Sequence, residues 1–288
     1  MAFLSHVSTV LSTPPSSSSH PASDEWLYGR AGTLYLLRLI FHFVTFVTPD
    51  NSVSVRVEQT ISAVSAKVTS EGPDWRWHGK QYLGAVHGSV GILTQIILSS
   101  AMIQAPPPRD CWNWLCDILD LQFESGNWPS SLGSSAKRDQ LVQFCHGAPG
   151  FVISLLAIRK AILVMEADPV AGLTGDPNDE FEVNGREICQ DIDTAISEAG
   201  TCIKQRGVPT KEPCLCHGVT GNALALEGEE RKMMMDWAQE LIVKRYLEQA
   251  WYVKGDDPAG LFCGEAGRAW GWMVVGGWGE GMIGFSDV

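Results

Sequence analysis

The octapeptide Gln143-Phe144-Cys145-His146-Gly147-Ala148-Pro149-Gly150 decides the fold, because its Cys-His-Gly-x-x-Gly core returns at Cys216-His217-Gly218-Val219-Thr220-Gly221. Looser copies stand at Gly29-Arg30-Ala31-Gly32, at His87-Gly88-Ser89-Val90-Gly91 and at Gly264-Glu265-Ala266-Gly267. The first glycines of the five copies fall at 29, 88, 147, 218 and 264, which spaces them 59, 59, 71 and 46 residues apart. Each copy except the last is followed by an apolar run of helical character. Repetition at this period marks an array of units that bury their apolar faces against one another.

Working outward, the apolar residues divide into two kinds of helix. After Gly32 the run Leu34, Leu36, Leu37, Leu39, Ile40, Phe43 and Val44 is apolar on most sides, as in a helix buried on several faces. Val53, Val57, Ile61, Val64 and Val68 then recur at helical steps on one stripe, which predicts a helix with a wet face. The alternation continues: Ile92 to Met102 and Phe151 to Ala167 read as inner helices, and Trp112 to Leu121 and Glu187 to Ile203 as outer ones. Asn222 to Leu226 opens a fourth inner helix that the charges from Glu227 to Lys232 cut short, and Met233 to Trp251 makes the last outer helix. The expected fold is all-α, with inner and outer helical layers. Residues 1–23, rich in Ser and Pro, read as a disordered leader, 24–270 as the helical domain and 271–288 as a glycine-rich tail. Glycine crowding in that tail argues against a complete fifth inner helix. Gly172 to Asn184, with three acids between Asp176 and Glu180, reads as an exposed connection.

Composition narrows the function. A net charge of -12 and a hydrophobic content of 45% describe an acidic protein with ample core, and no basic face is offered to nucleic acid. Eight cysteines spread through a long chain, two of them beside histidines, favour reduced thiols and a metal over a disulfide scaffold. The amino terminus lacks the basic residues of a secretory signal. The longest apolar run, Ala31 to Val47, contains Arg38 and His42 and is shorter than the ~20 residues of a membrane span. No transmembrane segment is expected. The reading is a cytoplasmic protein, peripheral at most to the plasma membrane.

Longer motifs then carry a resemblance. Leu27-Tyr28-Gly29-Arg30-Ala31-Gly32, Trp77-His78-Gly79-Lys80-Gln81-Tyr82-Leu83-Gly84-Ala85-Val86-His87-Gly88, Gly126-Asn127-Trp128-Pro129-Ser130-Ser131, both Cys-His-Gly motifs and Leu261-Phe262 occur in that order. From about Glu25 to Gly267 the chain resembles the eukaryotic lanthionine synthetase C-like proteins, relatives of the bacterial lanthionine cyclases. The resemblance implies an α/α toroid of seven helix pairs with the glycine turns at one end around zinc. This chain looks like repeats three to seven, the Ser/Pro-rich leader standing in place of the first two. The expected ring is therefore incomplete, about five of seven repeats, with apolar helix faces left open.

What the resemblance implies about chemistry is specific. Zinc in the family is held by the cysteine of one glycine motif and the Cys-His pair of the next, here Cys145, Cys216 and His217. Three protein ligands leave one tetrahedral position open, as in catalytic sites, and a thiol entering there would be deprotonated by the ion. Taken singly, each cysteine would read as an inert core residue. His146 and Cys214 keep a different ligand set open. His87 matches a family histidine assigned to proton transfer, a task suited to imidazole with its ordinary pKa of about 6.5; a histidine simply bonded within its glycine turn is the plainer reading. His78 reads as a structural contact. Lys211 stands where similar proteins keep a lysine near the carboxylates of the thiol substrate, and Arg138 and Arg30 could also attract an anionic tripeptide. Solvated surface charge is the alternative for each. Glu25 falls where the bacterial cyclases have an acidic residue. Cys263 departs from the family, which has glutamate there, and Glu265 is either its replacement or an exposed carboxylate.

The implied activity is zinc-dependent addition of glutathione, or of a peptide Cys, to dehydroalanine or dehydrobutyrine in a polypeptide partner, with His87 protonating the enolate. The alternative is a scaffold or regulator that holds zinc and a thiol without turnover. A glycosidase on the same kind of toroid would need a carboxylate pair that the chain does not offer.

Overall fold

The computed structural model describes residues 23–47, 51–133, 139–167, 184–253 and 258–288. The leader to residue 22, the acidic connection from 168 to 183 and Arg138 lie outside the described residues. Among the described residues ten α-helices follow in chain order: α1 (Arg30–Val47), α2 (Asn51–Thr69), α3 (Ser89–Met102), α4 (Asp110–Leu119), α5 (Ala148–Ala167), α6 (Gly185–Arg206), α7 (Val219–Leu224), α8 (Gly228–Met235), α9 (Glu240–Glu248) and α10 (Glu265–Val275). Among the described residues the only β pairing is a set of isolated bridges.

The two helical patterns sort into two layers. In α3 eleven residues are buried, Thr94, Gln95 and Ser99 included, as a helix surrounded by protein requires. In α6 burial is confined to the stripe that includes Ile188, Ile192, Ala195, Ala199 and Ile203, and its other face carries charge. Likewise Val57, Ile61, Val64 and Val68 of α2 are buried. Helices α1, α3, α5, α7 and α10 follow the five glycine motifs and form the inner layer, each packed on the next inner helix from α1 through α10. One of them, α5, is long and apolar enough to cross a membrane, but 67% of its apolar window is buried inside the protein. It is a core helix.

One element differs from the sequence expectation. The last outer helix is not continuous from Met233 to Trp251: α8 stops at Met235, a 3-10 turn spans Asp236–Ala238, and Gln239 is extended before α9 begins. The break exposes the Ala238 carbonyl, which accepts from Arg268 Nη1 of α10 at 3.2 Å. The inner helix α7 ends at Leu224, ahead of the charged stretch from Glu227, and is short as expected.

The glycine-rich tail folds back. After α10 stops at Gly276 and Gly277, the latter at φ +77°, the chain returns among the inner helices. Phe285 and Met282 are fully buried. The Phe285 carbonyl accepts from Arg38 Nη2 of α1 and Gln95 Nε2 of α3, and the Gly284 carbonyl accepts from Trp26 Nε1. Trp26 also meets Phe285 and Phe262 edge-on, at 5.1 and 5.3 Å between ring centroids. The tail thus covers part of the apolar faces expected to open onto water, while Leu36 and Phe43 of α1 and Met273 of α10 stay exposed.

Candidate metal centre

The five glycine turns meet at one end of the inner layer and are joined by main-chain hydrogen bonds. Trp26 N donates to Val86 O (3.1 Å), Cys145 N to Cys216 O (3.0 Å) and Cys216 N to Phe262 O (2.8 Å). Close approach is what the glycines permit: a Cβ on Gly84 would overlap the Cys145 carbonyl, and a Cβ on Gly221 the Leu215 carbonyl. Asn127 fixes the third turn, accepting from Ala148 N at 2.7 Å and donating to Asp139 Oδ1 at 2.6 Å. Asp139 is in turn held by Arg206 of α6.

Because Cys216 is gripped on both sides, the residues at its level in neighbouring turns converge. Cys216, His217 and Cys263 offer ligand atoms that all lie within 4.8 Å of one another. The neighbouring Cys145 thiol, followed by burial, pushes the Cys216 pKa up, and the Cys263 thiol works against them. His217 is held below the ordinary imidazole value by burial and then by the charge of Lys211, which keeps its lone pair available. None of the eight cysteines is in a disulfide.

The sequence expectations fall out as follows. Cys216 and His217 stand together, with Cys145 against Cys216. The His87 Nδ1 is 2.7 Å from Glu25 Oε2, and its ring lies parallel to those of both Trp77, at 5.4 Å, and Tyr28, at 6.4 Å, which are themselves 5.7 Å apart. His146 sits between, 6.5 Å from His87 ring to ring. Burial, with the charges of His87 and Lys211, pulls His146 down to about 4, so it is neutral near pH 7. Lys211 is near enough to influence both His146 and His217. Arg30, by contrast, is buried and bidentate to Asp24, at 2.6 and 2.9 Å, which leaves it a role in the first turn rather than in attracting a ligand. Glu265 is exposed and paired with Arg268, and His78 is exposed beside Trp77. Cys145 and Cys214 are buried and are not members of the group of three. Cys263, the residue that departs from the family pattern, joins the cluster.

A tetrahedral zinc site with Zn–S near 2.3 Å separates its sulfurs by about 3.8 Å, so this group needs only small side-chain adjustment to hold such an ion. Thiolate and neutral imidazole donors are those zinc prefers. The residues fit the metal.

A ring of helix pairs whose glycine turns gather thiols and imidazoles at one end defines a helical toroid with a candidate transition-metal centre. The pattern of the family described as lanthionine synthetase C-like protein matches residues 4–274, and the chain belongs to that family. It is similar to the Danio rerio protein named Glutathione S-transferase LANCL1, 27% identical over 215 residues, a stretch that covers 69% of this chain and 45% of that protein. The chain thus spans less than half the length of that relative.

Proposed function

We propose that the protein binds zinc through Cys145, Cys216 and His217 and uses it to add a thiol, glutathione being the first candidate, to a dehydroalanine or dehydrobutyrine residue of a polypeptide. The observation that carries this reading is the closeness of the Cys216 and His217 donor atoms, with Cys145 held to Cys216 through its amide, on the same set of turns as the His87–Glu25 pair. Family membership and the glutathione transferase name of the relative support the substrate class.

Zinc bound there would supply the positive charge that takes a thiol to thiolate near neutral pH. The protein's own residues have separate tasks. Glu25, buried and bonded to the Leu27 and Tyr28 amides, fixes the His87 ring through Nδ1, leaving Nε2 to deliver a proton to the carbon next to the carbonyl after the thiolate adds to the alkene. Lys211 and, by the family pattern, Arg138 would hold the carboxylates of the tripeptide. The Tyr28–Trp77 stack shields one side of His87 from water.

Incubation with glutathione and a dehydroalanine peptide, read by mass spectrometry, tests the reading: an adduct is expected that disappears in Cys216→Ala. A wild-type protein that retains about one zinc and yields no adduct would instead support the second reading, a zinc- and thiol-binding scaffold. Cys263 favours that second reading, because it brings a further thiol to the cluster.

A further inference from the structure

We infer that Cys263 is a fourth metal ligand, closing the coordination position that an incoming thiol would otherwise take. The inference rests on the zinc reading above and concerns what that ion would meet on its remaining side. Cys216, His217 and Cys263 are the group of three mutually close donors among the described residues. Cys145 lies outside that group but adjoins it, its amide donating to Cys216 O at 3.0 Å. With the Cys145 thiol turned to the same ion, three sulfurs and one imidazole would surround it, a complete tetrahedron of the kind found in closed structural sites.

The repeat explains how Cys263 arrives there. In each copy the residue just before the first glycine is Tyr28, His87, His146, His217 and Cys263 in turn. The fifth of these occupies the place that His217 holds in the fourth. The bond from Cys216 N to Phe262 O locks the fourth and fifth turns together one residue earlier, so the two side chains are delivered to one point. Glu265, the other candidate donor in the fifth turn, is exposed and engaged by Arg268, which leaves the sulfur as that turn's donor. On binding, each of the three thiols gives up its proton, and the resulting centre of one dication and three thiolates carries one net negative charge. Such a centre would repel an anionic thiol; a substrate sulfur could enter only by displacing Cys263, which would take up a proton as it leaves.

Cobalt(II) tests this on the full chain, because each bound thiolate adds to its sulfur-to-metal absorbance and the ion follows the same donors as zinc. Wild-type protein is expected to show a tetrahedral spectrum whose sulfur-to-metal band does not grow when glutathione is added, because its thiol enters only as Cys263 leaves. Cys263→Ala is expected to lose about a third of the sulfur-to-metal band, to hold cobalt at least 10-fold more weakly, and to regain the lost absorbance when glutathione is added. Cys263→Glu, which keeps a donor atom, should lose the same third even if the alanine variant folds poorly. Cys116→Ala, a thiol on α4, should leave the spectrum unchanged. An undiminished band in both Cys263 variants, with cobalt retained, would overturn the inference and leave the three-ligand zinc reading standing. No cobalt spectrum in the wild type would sink the zinc reading itself and this inference with it.

Discussion

Glu25 and His87, 62 residues apart in sequence, meet at 2.7 Å between Oε2 and Nδ1 where the first two glycine turns touch. The carboxylate is fully buried and also accepts from the Leu27 amide at 2.9 Å and from the Tyr28 amide. One side chain thus ties a turn and orients an imidazole. Glu25→Ala leaves two amides and a ring nitrogen without an acceptor and is expected to destabilise the protein by roughly 2–4 kcal/mol, measured by urea unfolding.

His87→Ala separates chemistry from structure. Removal of a positioned proton donor typically costs 10²- to 10⁴-fold in rate, and that loss is expected in glutathione adduct formation while metal content stays near the wild-type value. A loss of metal alongside activity would place His87 in the metal centre and not in proton delivery.

Cys216→Ala removes the thiol that lies close to both the His217 and Cys263 donor atoms. Elemental analysis is expected to fall from about one zinc per chain to none. The variant should also no longer gain thermal stability from added zinc, since a ligand raises stability only by binding the folded state.

Gly221→Ala tests the turn itself. The added methyl would collide with the Leu215 carbonyl, which is backbone and has no rotamer by which to escape. A loss of more than about 3 kcal/mol is expected, together with weaker metal binding, because Cys216 and His217 sit on the turn that must shift.

Acid should weaken the metal-free protein through its histidines. His146 is pulled down to about 4 and His217 is lowered as well, both chiefly by burial. The unfolded chain therefore takes up these protons first, so stability falls as pH drops from about 6.5 toward 4 and is untouched by these groups near pH 7. Denaturant midpoints of chelator-treated protein should follow that slope, and His146→Phe should remove roughly 3 kcal/mol of the decline.

Much of this architecture was legible because the glycine motifs carry their own register. The stripe from Val53 to Val68 identified an outer helix, and Cys145, Cys216 and His217 were visible as a paired pattern. Cys263 was harder to place: comparison with the family marks it as a loss of glutamate, whereas alignment of the five turns with one another puts it level with His217. That internal comparison was the available signal. The split of the last outer helix was not legible, since the demand for the Ala238 carbonyl comes from Arg268, which is distant in sequence. Nor was the burial of the tail, whose glycines read as helix breakers while Met282 and Phe285 give no periodic pattern.

Phe285→Ala measures what that tail contributes. A fully buried phenylalanine against Trp26 and Phe144 is expected to cost about 3–5 kcal/mol when truncated. A change below about 1 kcal/mol, read from the same urea transitions, would show that the tail does not belong to the core.

Trp26 has a consequence for how the molecule assembles. Its indole nitrogen bonds a carbonyl 258 residues further along, so the first and last units of what is otherwise a neighbour-to-neighbour stack are fastened to each other. A stack with loose ends can fray one unit at a time, with local openings cheaper than global unfolding. Fastened ends remove that route, and loop closure over so long a stretch delays the final contact. The protein should therefore fold slowly, and amide exchange in the outermost units should proceed with the same free energy as in the middle ones.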